Sequence, residues 1–83
     1  MTDFGEMARM AERVLKILTG LEGEHRVLIV QRADGAYSYR QQSLTELASE
    51  RLWGALGPHA GIYDSAETAE REALARVKWL QAS

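Results

Sequence analysis

The chain has 83 residues, of which 46% are hydrophobic and 27% charged, and its formal net charge is −2. This balance excludes an intrinsically disordered chain, which needs few apolar residues and a high net charge. It also lacks the strong positive charge typical of nucleic-acid binders, and the absence of cysteine excludes disulfides and thiolate metal sites.

These bounds predict one α+β domain over residues 1–83, located in the cytoplasm. The length suits a single domain rather than two. No apolar run is long enough for a signal-peptide core or a membrane span, and the lack of cysteine fits a reducing compartment. Because so small a domain buries a limited share of its surface, homodimer formation would add useful burial.

The first predicted element is a helix over residues 3–19. Asp3 and Glu6 have the spacing of a capping box, and Gly20 is placed to end the helix. Apolar residues recur at helical spacing through the segment: Phe4, Met7, Ala11, Val14, Leu15 and Leu18.

A β-hairpin is predicted next, over residues 25–42. It begins with the β-branched run at residues 27–30. The pair Asp34-Gly35 follows, and it is a strong hairpin signal because both positions tolerate a positive φ.

The second strand of this hairpin carries Tyr37 and Tyr39, which alternate with polar residues. A two-residue turn pairs Val30 with Tyr39, whereas a three-residue loop with a glycine bulge pairs Ile29 with Tyr39. Both registers place the two tyrosines on one face of the sheet.

Residues 43–59 allow two interpretations. Ser43 and Glu46 have capping-box spacing, and helically spaced apolar residues follow as far as Gly54, which favours a short helix. These residues are Leu44, Leu47, Ala48 and Leu52. The competing interpretation is an irregular excursion between strands, followed by a glycine-rich loop.

The last two elements are a third strand and a long helix. The strand covers residues 60–63, with Ile62 facing inward, and the helix runs from about residue 65 to Leu80. Asp64 with Glu67 forms a capping box, and Ser65 is the alternative cap. One apolar stripe is predicted to pack on the sheet: Ala66, Ala69, Ala73, Val77 and Leu80.

Together these elements predict an α+β fold: a three-stranded antiparallel sheet with N- and C-terminal helices packed on one face, in the order α-β-β-(short α)-β-α. This topology resembles that of the double-stranded-RNA-binding domain, whose last helix begins with lysines that bind phosphates. Residues 65–72 occupy that place and are acidic, so the resemblance implies topology alone. The order of three strands and a helix also resembles the DNA-binding N-terminal domain of tyrosine recombinases.

Residues 61–73 are similar to the tail of small uncharacterised bacterial proteins, a resemblance that implies no activity. Few residues indicate catalysis or metal binding. The only histidines, His25 and His59, lie near element ends, and no serine stands in a nucleophile elbow. The sequence therefore predicts a protein that is not an enzyme and holds no cofactor or metal.

The predicted function is a non-catalytic protein-interaction module, with a homodimer as one form of it. Its predicted partner-binding residues are Tyr37, Tyr39, Trp53 and Trp79, with the exposed side of the first predicted helix as a second option. Trp79 stands about 120° from the apolar stripe of its helix at about 100° per residue, and tryptophan is enriched at interface hot spots. The alternative for both tryptophans is that they cover an edge of the core.

The alternative function is a nucleic-acid-binding module that uses arginines and tyrosines of the sheet. Its predicted residues are Arg26, Arg32, Arg40 and Tyr39. Arginines contiguous across the sheet would favour nucleic acid, whereas a large apolar surface patch would favour a protein partner.

Overall fold

The computed structural model describes residues 12–81, which form an antiparallel sheet of five strands followed by two helices. The elements are β1 (Glu12–Thr19), β2 (His25–Arg32), β3 (Tyr37–Leu47), β4 (Glu50–Trp53), β5 (Ala60–Tyr63), α1 (Ala66–Arg76) and α2 (Lys78–Gln81). The strand order is β1-β2-β3-β4. The C-terminal end of β3 pairs with β4, whereas its N-terminal end, at Tyr37 and Tyr39, pairs with β5.

The predicted fold class is wrong, because the sheet has five strands rather than three and residues 12–19 form β1 rather than the end of a helix. Residues 3–11 of the predicted helix, with its capping box, lie outside the described residues. A register shift between Val14 and Lys16 marks a β-bulge in β1. The bulge interrupts the strand's alternation, so its apolar residues also fit a helical period.

The predicted hairpin between β2 and β3 is confirmed. Ile29 lies opposite Tyr39, as the three-residue loop requires. The Arg32 N–H donates to the Ala36 carbonyl at 2.7 Å, and Gly35 has a φ of 90°. This left-handed glycine closes the loop and sets the register of the whole strand pair.

The short helix predicted within residues 43–59 is wrong. Instead β3 continues to Leu47, and the chain turns back through Ala48 and Ser49 into β4. Ala48 and Ser49 have φ values of 54° and 71°. Positive φ at both central residues is the geometry of a type I′ hairpin turn, which matches the twist of its strands.

The third predicted strand is confirmed as β5, but the predicted inward orientation of Ile62 is wrong, because Ile62 is 72% exposed. Gly61 has a φ of 76°, and the register with β3 shifts between Tyr37 and Tyr39. The irregular backbone at Gly61 turns the following side chain outward.

The last predicted helix is divided in two. Of the two predicted caps, Ser65 is the N-cap of α1, because its hydroxyl accepts the Thr68 N–H at 3.1 Å. At Val77 the backbone becomes extended, and α2 follows as a single turn. None of the helices in the described range is long and apolar enough to cross a membrane.

The main core lies between the sheet and the two helices, and we call this side of the sheet the helix face. The predicted stripe of α1 is confirmed here, with Ala69 and Ala73 fully buried. Small side chains let the helix approach the sheet closely, over β2 and β3. The buried cluster comprises Val27, Ile29, Tyr39, Ala69, Ala73, Val77 and Leu80.

The opposite side, which we call the far face, also buries side chains of β2 and β3, including Val30 and Ser38. Arg40 on β3 contacts the carboxylate of Glu12 on β1 at 2.9 Å and 3.1 Å. Because β2 lies between these two strands, this ion pair crosses β2 near Val30.

Candidate partner-binding site

The structure places the four predicted partner-binding residues in different surroundings. Tyr37 and Tyr39 lie on the helix face, where Tyr39 is only 5% exposed and Tyr37 packs against the core. Trp53 lies on the far face, and Trp79 lies on α2 beside the core. The four therefore do not form one surface, and their binding to a partner stays a prediction.

Tyr39 belongs to the interior of the protein. Its ring stacks on Tyr63 with centroids 6.4 Å apart and planes 9° from parallel. Burial raises the pKa of Tyr39, and the neighbouring Tyr63 raises it further, against the opposing charge of Arg76. The main contribution of this residue is to packing.

Trp79 borders a concave site, which we call the Trp79 pocket. The pocket has a cavity volume of about 150 Å³ and lies between α2 and the loop that joins β1 to β2. Its lining consists of Gly20, Leu21, Glu22, Gly23, Glu24, His25 and Trp79. This volume suits a single side chain, since a cavity of that size holds benzene.

Three local features build the Trp79 pocket. The break of the helix at Val77 redirects Trp79 toward the sheet. Gly20 leaves room for the indole, because a Cβ there would stand 2.8 Å from Trp79 Cε3. The His25 ring lies 5.5 Å from the indole at 39°, and its Nδ1 is held by Ser43 Oγ at 2.8 Å.

The rim of the Trp79 pocket is acidic. Within residues 12–81, no cationic side chain lies within 4 Å of the Glu22 carboxylate. Glu24 has one contact with Arg51 at 3.3 Å, and both side chains are more than half exposed, so this pair adds little stability. An aromatic wall beside carboxylates is an environment that favours a cation.

Trp53 is already engaged by a cation of the chain. The Arg26 guanidinium lies 3.9 Å from the centroid of the Trp53 ring. Arg26 Nε donates to Gln42 Oε1 at 2.9 Å, and Gln42 Nε2 donates to the Gly54 carbonyl at 2.6 Å. One face of the indole is therefore occupied, and a partner would meet the arginine as well as the ring.

The three arginines predicted for nucleic acid share the far face, because their β2 and β3 positions alternate with the core residues. Arg40 is paired with Glu12 at 2.9 Å, and Arg32 with Asp34 at 3.4 Å. Tyr39 points to the helix face instead. The arginines and the tyrosine thus lie on opposite sides of the sheet, and two of the three arginine charges are neutralised.

Sequence reasoning missed a polar cluster on the far face. Ser38 Oγ lies 2.6 Å from His59 Nδ1, and His59 Nε2 lies 3.0 Å from Glu12 Oε1. These residue types are those of a nucleophilic triad, but the ring nitrogens are exchanged, since in the triad the serine contacts Nε2 and the carboxylate contacts Nδ1. Ser38 has no exposed surface, so a substrate carbonyl has no route to its oxygen, and the cluster acts as a link between β1, β3 and the loop before β5.

Within residues 12–81, no group of three or more histidine and carboxylate side chains is arranged to hold a metal ion. Comparison of the chain with protein-family models, curated proteins and solved structures gave no match. The Trp79 pocket is therefore assessed on its own geometry and charge.

Proposed function

We propose that this chain is a non-catalytic protein-interaction module that holds a lysine or arginine side chain of a protein partner in the Trp79 pocket. The observation that carries the proposal is the combination of an aromatic wall and an acidic rim around a cavity the size of one side chain. A cation over an aromatic face contributes about 0.5–2 kcal/mol, depending on desolvation.

The two charged groups at the rim have different roles in this proposal. Glu22 has no cation within 4 Å among residues 12–81, so its carboxylate is available to the ligand. Glu24 would exchange its exposed contact with Arg51 for the incoming cation. His25 and Trp79 supply the walls, which contact the aliphatic stem of the ligand side chain.

The test uses N-acetyl-arginine amide and N-acetyl-lysine amide as probes and N-acetyl-norleucine amide as the uncharged match. The protein is the full chain with Trp53→Phe, which leaves Trp79 as its only tryptophan. We expect saturable changes in Trp79 fluorescence with a Kd in the millimolar range, because one side chain provides only a few kcal/mol. Norleucine should bind at least tenfold more weakly.

Glu22→Gln should raise the Kd of both cationic probes about threefold to tenfold. Glu50→Gln removes an exposed carboxylate on β4 and is the matched control, which should leave the Kd within twofold. Equal binding of norleucine, or equal effects of the two substitutions, would overturn the proposal.

A second copy of the chain is one form of the proposed partner. Sedimentation equilibrium should then show a mass that rises with concentration in the wild type, and in Glu22→Gln this rise should move to about threefold to tenfold higher concentration. A monomer at all concentrations would show that the partner bound in the Trp79 pocket is a different protein and not a second copy of this chain.

Nucleic-acid binding is the second candidate, and one observation favours it: Arg26, Arg32 and Arg40 share the far face. The ion pairs of Arg32 and Arg40 and the net charge of −2 reduce the phosphate attraction of that face. Because the phosphate attraction is reduced, we favour the protein-interaction proposal over nucleic-acid binding.

A further inference from the structure

We propose that the Trp79 pocket selects a methylated lysine side chain, and that dimethyl-lysine is the form that fits it best. This inference rests on the proposed function, because it specifies which cationic side chain the same pocket binds. It is carried by the hydrogen-bond acceptors that the pocket offers, by the aromatic surface that borders it and by its volume.

Three backbone carbonyls of the residues that line the pocket already accept hydrogen bonds. The Gly20 carbonyl accepts the Gly23 N–H at 3.0 Å, and the His25 carbonyl accepts the Gly20 N–H at 2.9 Å. The Glu24 carbonyl accepts the N–H of Leu44, on β3, at 2.9 Å. The charged acceptors that remain for a ligand are therefore the side-chain carboxylates of the rim.

The rim offers one carboxylate that has no ion-pair partner among residues 12–81. This carboxylate belongs to Glu22, whereas Glu24 contacts Arg51 at 3.3 Å. An unmodified lysine ammonium is strongly hydrated and brings three N–H donors, which is more than this rim can satisfy. A dimethylated ammonium keeps its positive charge and a single N–H, which the Glu22 carboxylate can accept.

Two aromatic rings form a continuous surface on one side of the pocket. The centroids of His25 and Trp79 lie 5.5 Å apart, with the ring planes at 39°. Ser43 Oγ lies 2.8 Å from His25 Nδ1 and holds the imidazole in place. Aromatic rings attract methylated ammonium groups through the same cation–π interaction that they make with lysine, and the methyl groups add apolar contact with the rings.

The volume of the pocket also favours added methyl groups. A cavity of about 150 Å³ accommodates benzene, and an unmodified ammonium group is far smaller than that. Space left without contacts forfeits dispersion energy. Two methyl groups occupy part of this space, so they should strengthen binding.

The test measures Trp79 fluorescence in the full chain with Trp53→Phe, at constant pH and ionic strength. The probes are N-acetyl-lysine amide, its Nε-dimethyl and Nε-trimethyl derivatives, and the uncharged isostere in which carbon replaces the trimethylated nitrogen. We expect dimethyl-lysine to bind about fivefold more tightly than lysine and about twofold to threefold more tightly than trimethyl-lysine. The isostere should bind at least about tenfold more weakly than trimethyl-lysine, because it lacks the charge.

Two variants test the role of Glu22. Glu22→Gln should abolish the difference in Kd between dimethyl-lysine and trimethyl-lysine, because the single N–H loses its charged acceptor. Glu50→Gln removes an exposed carboxylate on β4 and is the matched control, which should preserve that difference. If the difference persisted in Glu22→Gln, the preference for the dimethylated form would be overturned.

Equal Kd values for lysine and dimethyl-lysine would overturn this inference and leave the proposed function standing. Failure of every cationic probe to bind would overturn both. An isostere that binds as tightly as trimethyl-lysine would also overturn the inference, since the pocket would then select apolar groups without regard to charge.

Discussion

Trp79 lies against the backbone of Gly20, so close that a methyl group on Gly20 would stand 2.8 Å from Cε3 and 3.1 Å from Cζ3 of the indole. This contact joins α2 to the loop between β1 and β2. It also shapes the wall of the Trp79 pocket.

Gly20→Ala should displace Trp79 and lower the free energy of unfolding by about 1–3 kcal/mol, the usual cost of an overpacked contact. Trp79 fluorescence, measured with Trp53→Phe, should shift to longer wavelength. Gly54→Ala is the matched control, because its Cβ would meet no atom closer than 3.4 Å. Unchanged fluorescence in Gly20→Ala would contradict the contact.

Substitutions in the turn between β3 and β4 should increase the stability of the protein. Ala48 and Ser49 both have positive φ, a conformation that costs non-glycine residues roughly 1–2 kcal/mol each. Ala48→Asn combined with Ser49→Gly should therefore raise the free energy of unfolding by about 1 kcal/mol, measured by urea denaturation. Ala55→Gly, in the loop after β4, should give no gain, and a loss in the double variant would argue against a type I′ turn.

Substitutions at the start of α1 distinguish between its two predicted N-cap residues, Asp64 and Ser65. Ser65→Ala should lower the free energy of unfolding by about 1 kcal/mol, because the Thr68 N–H loses its acceptor. Asp64→Ala should cost less, since Asp64 is exposed and precedes the cap. Thermal unfolding of both variants measures the difference, and a larger cost for Asp64→Ala would reverse the assignment.

The raised pKa of Tyr39 predicts a loss of stability at alkaline pH. Below about pH 10 the phenol is protonated in both folded and unfolded chains. Above that pH the unfolded chain loses the proton more readily, since burial raises the folded pKa, and stability falls as pH rises. Tyr39→Phe should reduce the fall in urea midpoint between pH 9 and pH 11, and an unchanged fall would rule out Tyr39 as its source.

Duplex DNA and RNA should bind weakly or not at all at physiological salt, with a Kd of roughly 10⁻⁴ M or higher. The reasons are the net charge of −2 and the ion pairs that hold Arg32 and Arg40. Fluorescence anisotropy of labelled duplexes measures this. Micromolar binding that weakens steeply with added salt would instead favour the nucleic-acid function.

The sequence predicted those parts of the fold that have local signals. The Asp34-Gly35 pair correctly predicted the central hairpin, and the alanine stripe correctly predicted which side of α1 packs on the sheet. The β1 strand was mistaken for a helix because the bulge between Val14 and Lys16 disrupts its alternation. The β3–β4 turn was missed because Ala48 and Ser49 are not typical residues for positive φ.

The candidate site was predictable only in part. Trp79 was identified from the sequence, but the Trp79 pocket depends on the helix break at Val77, where neither glycine nor proline gives a signal. The proximity of Gly20 to Trp79 joins distant parts of the chain, and no spacing rule predicts it.

The order of the strands has a consequence for how quickly the protein folds. From β1 to β4, each strand pairs with its neighbour in the chain, so each pairing closes a short loop at low entropic cost. Isolated hairpins form in about 1–10 μs, and topologies rich in local contacts fold fast. While unpaired, residues 27–30 offer free backbone groups and apolar side chains to other chains, and rapid pairing with both neighbouring strands shortens that exposure during synthesis.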